Sequence, residues 1–174
     1  TDYFNNDFEN VVNEKLIERY FDKLWPIMRS ITGNGYEKTH KIIGEIVKLK
    51  RMNFKTGTKV FDWEIPEVWD FKEAYVIDPE GNKILDAKTN NLHLMNYSKP
   101  FNKEISFEEF KQHLYFIKDK PDAIPYVTSY YEKNWGFCLS YNQYKKLKNG
   151  KYKIKISTSF KNGELFVSEG YLPG

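Results

Sequence analysis

One cysteine, Cys138, stands in 174 residues, so no internal disulfide can form and the fold has to rest on its own core. That scarcity fits a reducing compartment. With no charged-then-apolar leader at its start, the chain is expected to be cytoplasmic. It opens on Thr1 rather than Met, as a trimmed chain would. Histidine is also scarce, at His40, His93 and His113, and none has a second His or a Cys at ligand spacing. A zinc site needs three or four converging His, Cys, Asp or Glu ligands, so no metal site is expected within these residues. No apolar run approaches the roughly 20 residues of a membrane span, so no membrane partner is expected either. Charge of one sign is lacking too, with 27 basic residues against 24 acidic ones and a net charge of +3. Nucleic-acid binding needs a concentrated basic face. The nearest approach to one, Lys145, Lys146, Lys148, Lys151, Lys153 and Lys155, reads as a solvated helix end and strand face.

Aromatic residues are abundant instead: 13 Tyr, 13 Phe and 4 Trp, or 17% of the chain. That many rings implies a core or a groove built largely from planar side chains. Residues 1–7 are polar and expected to fray. From Phe8, the apolar residues Val11, Val12, Leu16, Ile17, Tyr20, Phe21, Leu24 and Trp25 fall on one helical face, and Pro26 ends or kinks that helix. The loop from Ser30 to Gly35 is rich in cap and turn residues. A second helix follows, with Tyr36, Ile42, Ile43, Ile46 and Val47 inward.

After Lys50 the pattern becomes one of short β-like runs between turns. These are Lys59 to Ile65, a hairpin of Ala74–Ile77 and Lys83–Leu85 around Asp78-Pro79-Glu80-Gly81-Asn82, and a short strand at Leu92-His93-Leu94. Ser106 and Glu109 fit a capping box for a helix to about Tyr115, and Ser140 caps another through Leu147. Tyr126–Tyr131 and Gly136–Leu139 read as β-rich. The chain closes on an alternating hairpin, Tyr152 to Ser157 and Leu165 to Val167, turned at Asn162-Gly163. The fold class is α+β: an N-terminal helical pair followed by a mainly antiparallel β-sandwich or jelly-roll-like domain with one or two short helices.

No nucleophile elbow of the Gly-x-Ser-x-Gly kind is present, and Gly33-Asn34-Gly35 lacks the rest of a phosphate-binding fingerprint. Cys138, within Trp135-Gly136-Phe137-Cys138-Leu139, reads as a buried inert thiol. His40 and His113 read as surface or boundary residues. His93 has two readings, a histidine on an exposed sheet face or a hydrogen-bond donor lining a cleft. Tyr126, Tyr130, Tyr131 and Trp135, with Thr128, Ser129 and Asn134 between them, carry what a sugar or peptide groove needs. They also fit a core strand pair with half-exposed tyrosines. Asp62 and Trp63 pose the same choice between a functional acid among rings and a turn anchor. No catalytic residue is assigned, and His93, Tyr130, Tyr131 and Trp135 are the candidate substrate-binding residues.

Five segments carry a resemblance: LWPIMRSITGNG at 24–35, GTKVFDWEIPEVW at 57–69, AYVIDPEGNKI at 74–84, NNLHLMNYS at 90–98 and DAIPYVTSYYEKNWGFCLS at 122–140. Together they resemble a bacterial aminopeptidase-like family, a domain of unknown function similar to co-catalytic zinc exopeptidases and associated with polysaccharide biosynthesis loci. The likeness runs from about residue 14 to the end. It implies that residues 1–50 form the edge of a peptidase-like domain and residues 57–174 an inserted β domain that shapes or caps a substrate cleft. It also implies zinc in the parent protein, on a motif beyond SEGYLPG at 168–174, and so a missing C-terminal peptidase domain as partner. Alone, the chain is expected to hold no catalytic zinc and to hydrolyse no peptide; a peptide or glycan-linked substrate would belong to the whole protein. The alternative is a non-catalytic carbohydrate- or protein-binding β module. A homo-oligomer is a third expectation, because helices without their peptidase partner would leave apolar surface uncovered.

Overall fold

The computed structural model describes residues 14–171. The readings for residues 1–7, Phe8, Val11, Val12 and Leu172-Pro173-Gly174 lie outside that range. Two helices open the described chain, α1 (Glu14–Leu24) and α2 (Asn34–Ile43). Ten strands and two one-turn helices follow. They are β1 (Leu49–Lys55), β2 (Lys59–Val60), β3 (Trp63–Glu64), β4 (Val68–Ile77), β5 (Lys83–Asp86), β6 (Phe101–Ser106), α3 (Phe107–Phe110), β7 (Leu114–Tyr115), β8 (Phe137–Cys138), α4 (Tyr141–Tyr144), β9 (Lys151–Lys161) and β10 (Glu164–Gly170).

The largest sheet has four antiparallel strands in the order β5-β4-β9-β6. Period-two alternation sends Ala74 and Val76 of β4, Leu85 of β5, Ile105 of β6, and Tyr152, Ile154 and Ile156 of β9 to one face. Phe110, Leu114, Phe137 and Leu139 close the core with them. The α+β class therefore holds, with antiparallel pairing dominant. Three smaller ladders accompany the sheet: β1 with β10, β2 with β3, and a parallel pair of β7 with β8.

The structure corrects several elements. Lys59 to Ile65 is a tight hairpin, because Phe61 takes a left-handed conformation (φ 55°) and turns the chain back on itself. Residues 91–93 form a turn of 3-10 helix capped by the Asn90 side chain, not a strand. Ser106 caps only α3, which gives way to 3-10 geometry at Lys111. Ser140 makes a full capping box with Gln143, but α4 ends at Tyr144. Residues 126–131 contribute one isolated bridge, Asn96 to Thr128. The final segments do not pair with each other: β9 has β4 along one edge and β6 along residues 151–156 of the other, and β10 departs to pair with β1 from Leu49↔Gly170 to Lys55↔Glu164.

The helical segment is docked on the sheet through the Ser30–Gly35 loop. Thr32 Oγ1 accepts the Trp69 backbone N–H at 3.0 Å and shares a hydrogen bond with the Tyr97 hydroxyl at 2.5 Å. The Asn34 N–H donates to Asp70 Oδ1 at 2.7 Å. Gly33 sits at φ 86°, where a Cβ would lie 2.0 Å from the Trp69 carbonyl oxygen. On the other side, α2 packs Tyr36 and His40 against Phe166 of β10, and His40 Nε2 lies 2.6 Å from Ser168 Oγ.

Candidate functional site

The segment between β7 and β8, residues 116–136, is a long connection with little regular structure, and such loops commonly carry function. It holds most of the aromatic cluster. The β2–β3 hairpin stands opposite it, and a cleft of about 240 Å³ opens between the two, bounded by Glu64, Pro66 and Glu67 on one side and Tyr130, Tyr131 and Lys133 on the other.

A stack of rings forms the floor. Trp69 and Tyr97 lie nearly parallel with centroids 5.7 Å apart, and Tyr97 meets Tyr130 and Phe160 edge-on at 5.6 and 6.2 Å. Tyr97 adopts φ 61°, an uncommon conformation for a residue with a side chain. Its hydrogen bond to Thr32 and its stack on Trp69 hold it there. Burial pushes its hydroxyl up to about 12, so it stays protonated. Toward the rim, Tyr131 lies 4.8 Å from Tyr130 and 6.4 Å from Trp63 of the hairpin. Tyr131 is 74% exposed, and Phe61 at the hairpin tip is exposed completely. Lys133 Nζ pairs with Glu67 at 2.7 Å and also sits over the Phe160 ring.

The four candidate residues divide. Tyr130 and Tyr131 share the cleft. Trp135 is 3% exposed and closed between the parallel rings of Phe101 at 4.1 Å and His113 at 3.8 Å, which leaves neither indole face for a ligand. His93 is buried elsewhere, neither on an exposed sheet face nor at the cleft. Its Nδ1–H donates to the Cys138 carbonyl at 2.8 Å, which fixes the tautomer. Burial lowers the His93 pKa, against the opposing pull of that hydrogen bond and of Asp86. Burial likewise pushes the Cys138 thiol up to about 12, the state of an inert cysteine. Tyr97 lines the cleft and is not among the candidates, while Trp63 lies beside the cleft and touches it only through Tyr131. For Trp63, the neighbouring acid and rings in sequence were the available signal.

No group of three or more His, Cys, Asp or Glu residues suited to a metal ion occurs among the described residues. Among the same residues, no helix is long and apolar enough to cross a membrane.

A protein from Clostridium acetobutylicum described as a "Putative polysaccharide biosynthesis protein with aminopeptidase-like domain" is 44% identical over 158 residues, 91% of this chain and 36% of that protein. A crystal structure of a "putative peptidase" from the same organism superposes with a TM-score of 0.82 at 44% identity, covering 88% of this chain and 36% of that one. The chain thus spans little more than a third of these relatives. A family profile described as "Domain of unknown function (DUF2172)" matches residues 68–159, more than half of the chain, and covers β4, the core loops and most of β9. On that match the chain belongs to the DUF2172 family.

Proposed function

We propose that this chain is the accessory portion of a zinc-aminopeptidase-like protein. In this reading, residues 1–50 form the edge of the peptidase-like domain. Residues 57–174 are a jelly-roll-like insert that shapes or caps its substrate cleft. The whole protein works in the cytoplasm, and its zinc is held by residues outside this chain. The observation that carries the proposal is the outer face of α1 together with Trp25 just beyond its end. Ile17, Phe21 and Trp25 are 49%, 68% and 52% exposed along an apolar groove of about 390 Å³. Soluble proteins rarely leave such a contiguous apolar face to water unless something docks on it. The relatives supply the length of chain to cover it; one is named for an aminopeptidase-like domain and the other as a "putative peptidase".

Calorimetric titration of this chain with the separately produced remainder of the Clostridium protein tests the docking. A one-to-one complex that Phe21→Glu with Trp25→Glu abolishes supports it. Absence of a complex, or a homodimer built on α1 in its place, contradicts it. The second reading, a non-catalytic carbohydrate- or protein-binding module, is favoured by the solvent-facing Tyr131 ring beside Trp63.

A further inference from the structure

We propose that the cleft between residues 64–67 and residues 129–133 binds one pyranose ring of a neutral or amino-bearing glycan, stacked on Tyr131 with Glu64 accepting hydrogen bonds from its hydroxyls. This deepens the binding-module reading by naming the ligand class, and it does not depend on docking through α1.

Three observations lead to it. The first is size. At about 240 Å³ the cleft falls below the roughly 300–1,000 Å³ of sites that enclose a drug-sized ligand, and it is open at the rim. It suits one ring of a longer chain that continues into solvent.

The second is the disposition of aromatic surface. Tyr131 and Phe61 are turned to water, and Trp63 faces Tyr131 at 6.4 Å with its plane inclined by 57°. The backbone holds Phe61 in the left-handed region (φ 55°), where a bulky residue is disfavoured. Burial in the core therefore does not explain Tyr131 or Phe61. Planar faces at a rim are what the C–H faces of a sugar stack upon.

The third is the polar inventory. Around the floor the groups are already satisfied: Thr56 Oγ1 donates to backbone carbonyls and accepts the Gly163 N–H, Ser129 Oγ donates to the Tyr97 carbonyl, and Lys133 is paired with Glu67. Glu64 is exposed and lines the cleft; Lys59 is its cross-strand neighbour, but Glu64 forms no ion pair among the described residues. A free carboxylate accepts and cannot donate, so its complement is a pair of hydroxyls or an ammonium. Glu64, Glu67 and Glu132 outnumber Lys133 at the cleft, which disfavours an anionic sugar. An extended peptide would instead seek unpaired strand edges for its backbone, and the flanking hairpin is two residues long on each side.

The test is saturation-transfer NMR on the 174-residue chain with glucose, galactose, N-acetylglucosamine and glucosamine, and with glucuronic acid as the anionic control. At least one neutral or amino sugar is expected to bind with a Kd of about a millimolar, and glucuronic acid more weakly. Tyr131→Ala is expected to weaken binding about tenfold or more with an unchanged Tm, since its ring is largely in water. Glu64→Gln should weaken glucosamine more than glucose. No binding of any neutral or amino sugar, or equal binding by Tyr131→Ala, overturns the proposal. Because α1 is untouched in these variants, either outcome leaves the docking result to stand or fall by itself.

Discussion

Four residues apart in one loop, Tyr131 gives its ring to solvent and Trp135 is enclosed by Phe101 and His113. The same substitution should therefore have opposite consequences. Trp135→Ala removes a buried indole and leaves a cavity, at a cost of about 3–5 kcal/mol. Tyr131→Ala should stay within about 0.5 kcal/mol of the parent. Urea melts of the two variants measure both. His93 supplies a pH test. Its pKa is lowered in the folded chain from an ordinary value of 6.5, chiefly by burial. Below that value the unfolded chain takes up a proton that the folded one refuses. Stability is thus fully present above about pH 6.5 and falls as the pH drops toward the lowered folded value, by at most about 1.4 kcal/mol per pH unit. His93→Gln should remove that slope from melts between about pH 6.5 and 5, and an unaltered slope would place the titration elsewhere. At this scale the sequence disclosed that rings cluster at 126–135, but not which of them face inward. Alternation distinguishes the faces of a strand, and this loop has no period to read.

Local signals announced some elements and not others. The β4–β5 hairpin was legible because Asp78 is suited to accept from the turn it opens, and it takes the Asn82 N–H at 2.8 Å with Gly81 at φ 90°. Ser140 was legible as a cap for the same kind of reason. β1 was not: only Leu49 is even partly buried in Leu49–Lys55, so the strand lacks the apolar alternation that identifies strands. Its partner β10 was misassigned to β9 because Asn162-Gly163 reads as a hairpin turn. Instead β10 pairs with β1 along its whole length, although β6 leaves one edge of β9 unpaired beyond Ile156. Gly33 is the test at this scale. In Gly33→Ala the left-handed backbone alone costs about 1–3 kcal/mol, and the added carbon meets the Trp69 carbonyl. We expect that variant to melt at lower denaturant and to lose amide protection at Asn34 and Trp69, where the loop joins β4. Unchanged protection there would show that the joint does not hold the helices to the sheet.

For the molecule as a whole, the resemblance carried in LWPIMRSITGNG and the other four segments agrees with the DUF2172 match and with relatives about two and a half times as long. The physical counterpart of that resemblance is the Ser30–Gly35 loop, whose residues are fixed by contacts to Trp69, Asp70 and Tyr97 from two other segments. Periodicity could place Ile17, Phe21 and Trp25 on one face of α1 but could not tell that face from a core-facing one, because both have the same spacing. The exposed α1 groove and the aromatic cleft are separate surfaces with no lining residue in common. They allow one chain to dock on a larger body while holding a ligand elsewhere. The most direct measurement is hydrolysis of aminoacyl anilides, with zinc per chain determined on the same samples, for this chain, for the remainder of the Clostridium protein, and for the two combined. The account predicts zinc in the remainder, none bound stoichiometrically by this chain, and a turnover or KM that changes when the two are combined. Tight zinc on this chain alone, or a remainder whose kinetics ignore it, would contradict the account.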